Sequence, residues 1–165
     1  MHIIENQIIQ KATWKKAALF TVIFAVFYIL INYSGVGVAG LLKITGGRSF
    51  YLTKILPLDF PFPFTYMLFY AGWIALLIKH AAHGNWCRYL LFIPVLAMLC
   101  DWMENLGIIS LLNCYPDLPV CAVLLASIAG MLKAVFTICS IIVIGLLFIM
   151  FLVKNAKSVK ENSPC

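Results

Sequence analysis

"YLLFIPVLAMLCDWMENLGIISLL", residues 89–112, decides how this chain folds. At 1.5 Å of rise per residue, a helix of these 24 residues reaches about 36 Å, enough to cross the ~30 Å hydrocarbon core of a bilayer. Asp101, Glu104 and Asn105 interrupt the apolar run. Their i, i+3, i+4 spacing sets them on one helical face, which Ile108 continues. An unpaired Asp at a helix centre costs about 2.5–3.5 kcal/mol on insertion scales, so that face must meet protein or water rather than acyl chains. The stretch therefore predicts a spanning helix inside a bundle.

Working outward, 64% of the 165 residues are hydrophobic and 11% are charged, far from the roughly 45–50% apolar and about 25% charged usage of soluble domains. Further apolar runs at 17–33, 55–78 and 119–153 are each near or above the ~20 residues a spanning helix needs. The expected fold is an all-α integral membrane protein, a four-transmembrane-helix bundle over 17–153, with loosely ordered cytoplasmic ends at 1–16 and 154–165. Barrel-type alternation and internal repeats are absent. Lys11, Lys15 and Lys16 ahead of the first run, with the small residues of "GVGVAG" (35–40), also fit a cleaved leader. The length of the apolar stretch favours a retained span.

The net charge of +6 does not indicate nucleic acid, because the basic residues sit at segment ends without a stripe of interleaved aromatics. They serve topology better. Lys11, Lys15, Lys16, Lys79, Arg88, Lys154, Lys157 and Lys160 lie on one side, against Lys43, Arg48 and Lys54 on the other; eight against three places both termini in the cytoplasm. A bacterial cytoplasmic membrane is the expected location, with the lipid bilayer as obligatory partner and a homo-oligomer as a further option. Lys133 falls inside the fourth apolar run and stands apart from this count.

Measured from the inner ends of their runs, Lys133 lies near the outer boundary, and Asp101, Glu104 and Asn105 lie about 18 to 24 Å up. Residues 119–132 would then project beyond the bilayer or bend along its surface, with Gly130 as a hinge. Pro94 frees the carbonyl of Leu90 and is expected to kink the third helix. The entry to the second, "LPLDFPFPF" (56–64), holds Asp59 among three prolines that deny a regular helix before Phe62. "TGGRSFYL" (45–52) delivers Arg48 to the same side. Arg48, Asp59, Asp101, Glu104, Asn105 and Lys133 are therefore expected around one outward-facing chamber, roofed by residues 34–56.

Asp101 and Glu104 read as a general acid/base or ligand pair, or as a buried network with Arg48 or Lys133 that fixes helix packing. Asn105 can bind a ligand or bond between helices. Arg48 can grip a phosphate or carboxylate or snorkel to the headgroups. His80 and His83 have a metal-compatible spacing but no acid beside them, and read as part of a solvated loop. No metal site or cofactor is expected. Cys114 and Cys121 flank a short outer loop and can bridge on an oxidising side; none of the six cysteines forms a C-x-x-C pair, which weighs against redox chemistry. Tyr66, Tyr70, Trp73, Trp86 and Trp102 read as interface or packing aromatics.

"GRSFYL", "LPLDFPFPFTYMLFYA" and "CDWMENLGI", followed by a short loop with "YP", together resemble a family of small bacterial four-span membrane proteins with a GRxxYL / DxxFP / DxxEN pattern. The resemblance covers about residues 47–116. It implies a four-helix membrane fold with Arg48, Asp59, Asp101, Glu104 and Asn105 as family-type positions, and it implies no activity. The leading functional expectation is a chamber that binds, or acts by acid/base chemistry on, an amphiphilic or lipid-derived molecule. The competing expectations are a proton-coupled small transporter or channel subunit and a membrane assembly or immunity partner that uses the small residues of "LLASIAG" (124–130).

Overall fold

A computed structural model describes residues 2–33, 47–81 and 85–161, and every regular element among them is helical. Four stretches are long and apolar enough to cross a membrane: Trp14–Ile31, Tyr51–Ala81, Cys87–Cys114 and Val120–Ser158. The chain is an all-α integral membrane protein built as a four-helix bundle.

Short α1 (His2–Lys11) precedes the first span, α2 (Trp14–Tyr33). The break between them is capped from both sides. The Lys16 amide donates to Thr13 Oγ1 at 3.4 Å, satisfying an orphan donor at the start of α2. Lys79 Nζ donates to the carbonyls of Gln10 (2.9 Å) and Ala12 (3.0 Å), and Lys16 Nζ to that of Lys11 (3.1 Å). Cations thus meet the exposed carbonyls where α1 ends. With Ile9 and Ala12 packed into the core, this segment is ordered helix rather than the loose end the sequence suggests.

A short α3 (Gly47–Phe50), a π-helical turn (Tyr51–Ile55) and α4 (Leu56–Asp59) lead to the second span, α5 (Phe62–Ala81). The prolines fall at helix starts, where no amide hydrogen is needed. Pro57 opens α4, Pro63 lies in the first turn of α5, and the Pro61 carbonyl accepts from Phe64 and Thr65. The chain here is interrupted helix, more regular than the proline spacing suggests.

A 3-10 stretch (Asn85–Leu91) enters α6 (Phe92–Cys114). Pro94 therefore occupies the first turn of α6, where its missing N–H costs nothing, instead of kinking the middle of the span. The last element, α7 (Val120–Glu161), runs unbroken for 42 residues. Gly130 is not a hinge, and the lysine-rich tail continues the helix.

Central α5 carries the core. Ile74, Ala75, Leu76 and Leu77 are almost fully enclosed between α2, α6 and α7, with Leu91 and Leu147 completing the cluster. On the other half of α5, Tyr66 and Tyr70 pack with Ala97, Phe24 and Phe136. α6 and α7 share the most extensive helix contact. Small residues allow it: a Cβ on Gly107 would come within 2.9 Å of the Ala126 backbone nitrogen. Within "LLASIAG", Ala126 meets Gly107 and Ala129 is buried, so part of its small face is occupied by α6.

Candidate functional site

Asp101 and Glu104 stand one turn apart on α6, and Lys133 reaches both from α7. Lys133 Nζ lies 2.8 Å from Asp101 Oδ1 and 3.0 Å from Glu104 Oε2. The other Asp101 oxygen, Oδ2, accepts from the Tyr66 hydroxyl at 3.0 Å, and that hydroxyl also lies 3.0 Å from the Ala97 carbonyl. One charged network therefore joins α5, α6 and α7. Both Asp101 oxygens are engaged, and the residue is 1% exposed. Such a buried charge persists only where it is paired and hydrogen-bonded.

The network opens toward the surface at its other edge. Side-chain exposure rises from 2% at Asp101 to 25% at Glu104 and 36% at Lys133. Gly130 makes room for this edge, for a Cβ there would sit 2.9 Å from Glu104 Oε1. The glycine that reads as a hinge is instead a gap filled by a carboxylate.

Asp59, half-buried at the end of α4, interacts electrostatically with Asp101, Glu104 and Lys133, and so does the buried Tyr51 from the π-helical turn. No direct bond joins Asp59 to any of the three. Asn105 lies next to Glu104 in sequence and is enclosed, and its Nδ2 has no hydrogen-bond partner among the described residues. Trp102 braces the wall, its indole N–H donating to the Phe60 carbonyl at 3.0 Å and its ring stacked on Phe60.

Of the expected site residues, Asp101, Glu104 and Lys133 meet directly, Asp59 joins through space, and Asn105 adjoins them. Arg48 belongs to α3, but its side chain lies outside the described residues, as does most of the expected roof over 34–56. Sequence reasoning missed Tyr66 as a polar partner and filed it with packing aromatics. Nothing in the local sequence marks it, because its acceptor, Asp101, is 35 positions away on another helix.

Elsewhere, His80 is stacked against Trp14, with ring centroids 6.0 Å apart, and its carbonyl accepts from Lys154. His83 lies outside the described residues. Cys87, Cys100, Cys114, Cys121 and Cys139 are free thiols. The arrangement can hold a cation or exchange a proton at its open edge while Asp101 keeps Lys133 in place. No family model, no curated protein and no solved structure matches the chain.

Proposed function

We propose that this protein binds an amphiphilic or lipid-derived molecule carrying a cationic group, at an outward-facing site formed by Glu104 and Asp59 over the Asp101–Lys133 pair. The supporting observation is an excess of acid over base, with Asp101 enclosed and Asp59 and Glu104 half-buried. Three carboxylates (Asp59, Asp101, Glu104) surround one ammonium, Lys133, among the described residues. Even with Arg48 added, the acids outnumber the bases. Low-dielectric surroundings amplify that excess, so a second cation is the natural complement.

Within this reading Asp101 is a positioning residue, because both its oxygens are used internally. Glu104 is the residue that meets the ligand, and acid/base chemistry on a bound molecule would run through it. In this reading both termini lie in the cytoplasm, following the lysine distribution. Native mass spectrometry of the purified protein with dodecylamine and with dodecyl sulfate tests the reading. Wild type is expected to retain the amine selectively, and Glu104→Gln to weaken that retention about tenfold, the value of one charge-assisted contact. Equal retention by wild type and Glu104→Gln would refute it, and pH-driven proton flux in protein-containing liposomes would favour the transporter instead.

A further inference from the structure

A groove of about 520 Å³ starts at the α1 end of the bundle, away from the carboxylates, and runs up α5 as far as Met67. Its walls are α2, α5 and α6, and α1 closes its lower end. The lining divides by chemistry. Gln7, Lys11 and Lys16 stand at the α1 end, and the remainder is chiefly apolar, with Phe20, Met67 and Val95 among its lining.

Two features suit this groove to one kind of occupant. Its α5 floor runs from Met67 to Ala75, about 12 Å at 1.5 Å per residue, which is close to one leaflet's half of the ~30 Å hydrocarbon core. Its volume falls within the ordinary range for sites that enclose a ligand. One of the lysines is also held in position. Lys16 Nζ is fixed 3.1 Å from the Lys11 carbonyl, which leaves its remaining donors for an anion. The α1–α2 break that brings these lysines together is itself held by Lys79.

We infer that this groove is a binding site for an anionic phospholipid, which lays an acyl chain along the α5 floor and sets its phosphate between Lys11 and Lys16. Basic pockets between spanning helices recognise anionic headgroups in this way, each nearby lysine adding attraction. The site is independent of the carboxylate network and of the function proposed for it.

Native mass spectrometry of detergent-purified protein with phosphatidylglycerol, phosphatidylcholine and palmitate provides the test. Wild type is expected to retain phosphatidylglycerol about tenfold better than phosphatidylcholine. Lys11→Gln with Lys16→Gln removes that preference. Lys15→Gln with Lys157→Gln removes the same charge outside the groove and preserves it. Ala71→Phe, which fills the groove, reduces binding of both phospholipids. Unaltered elution and melting midpoint without lipid show that each variant is folded. Three results would overturn the inference: a preference that survives Lys11→Gln with Lys16→Gln, an equal loss in the control pair, or palmitate binding as tight and as lysine-dependent as phosphatidylglycerol.

Discussion

At the scale of single residues, Lys133 is the keystone of the charged network, because two carboxylates on α6 depend on it. Removing one partner of a buried pair leaves uncompensated charge, which is far costlier than removing every charge together. Lys133→Met is therefore expected to destabilise the fold by about 3 kcal/mol, the low end of the buried-pair range because the lysine is partly exposed. Adding Asp101→Asn and Glu104→Gln to it should recover most of that loss. Unfolding midpoints in detergent measure both, and equal instability of the single and triple variants would contradict the pairing. Tyr66→Phe, which strips one donor from Asp101, should cost about 1.5 kcal/mol. Asp101, Glu104 and Lys133 were legible in sequence because charges inside apolar runs are rare enough to be conspicuous. Tyr66 was not, since a tyrosine in a span serves equally as packing aromatic or hydrogen-bond donor, and only the position of its neighbours decides.

At the scale of elements, the α6–α7 pair depends on two glycines with different roles. A methyl at Gly107 meets the Ala126 backbone nitrogen at 2.9 Å, and backbone cannot step aside without the helices parting. Gly107→Ala is expected to destabilise by about 2 kcal/mol, the usual cost of overpacking. A methyl at Gly130 meets Glu104 Oε1 at 2.9 Å instead, the movable end of a flexible side chain. Gly130→Ala should therefore leave the unfolding midpoint nearly unchanged and weaken dodecylamine retention, because the methyl displaces the carboxylate that meets the ligand. The opposite ranking, with Gly130→Ala the less stable, would show that the helix contact and not the carboxylate sets the need for glycine. The spans themselves were readable from hydropathy, which reports the length of an apolar run directly. Helix continuity was not: a glycine or proline marks a possible break, and Gly130 and Pro94 are accommodated by a facing carboxylate and by a first-turn position.

At the scale of the whole molecule, α7 is longer than the membrane it crosses. Its 42 residues extend about 63 Å, twice the ~30 Å of hydrocarbon. Lys133 and Lys154 are 21 positions apart along it, about 32 Å, so the two ammonium groups match the two edges of the apolar layer. On that register Cys121 lies about 18 Å beyond Lys133, and Cys114 ends the partner helix beside it. Both thiols are free and exposed, and they form a native reporter pair. In intact cells a membrane-impermeant maleimide is expected to label Cys114 and Cys121, whereas a cysteine placed by Lys157→Cys reacts only after permeabilisation. Labelling in intact cells should disappear in a Cys114→Ser, Cys121→Ser, Cys165→Ser variant, which also serves as the background for Lys157→Cys, since Cys87, Cys100 and Cys139 are at least partly enclosed. Protection of the native pair in intact cells treated with a reductant, or labelling of position 157 there, would reverse the orientation. The carboxylate network would then face the cytoplasm, and the source of any cationic amphiphile would have to be sought inside the cell.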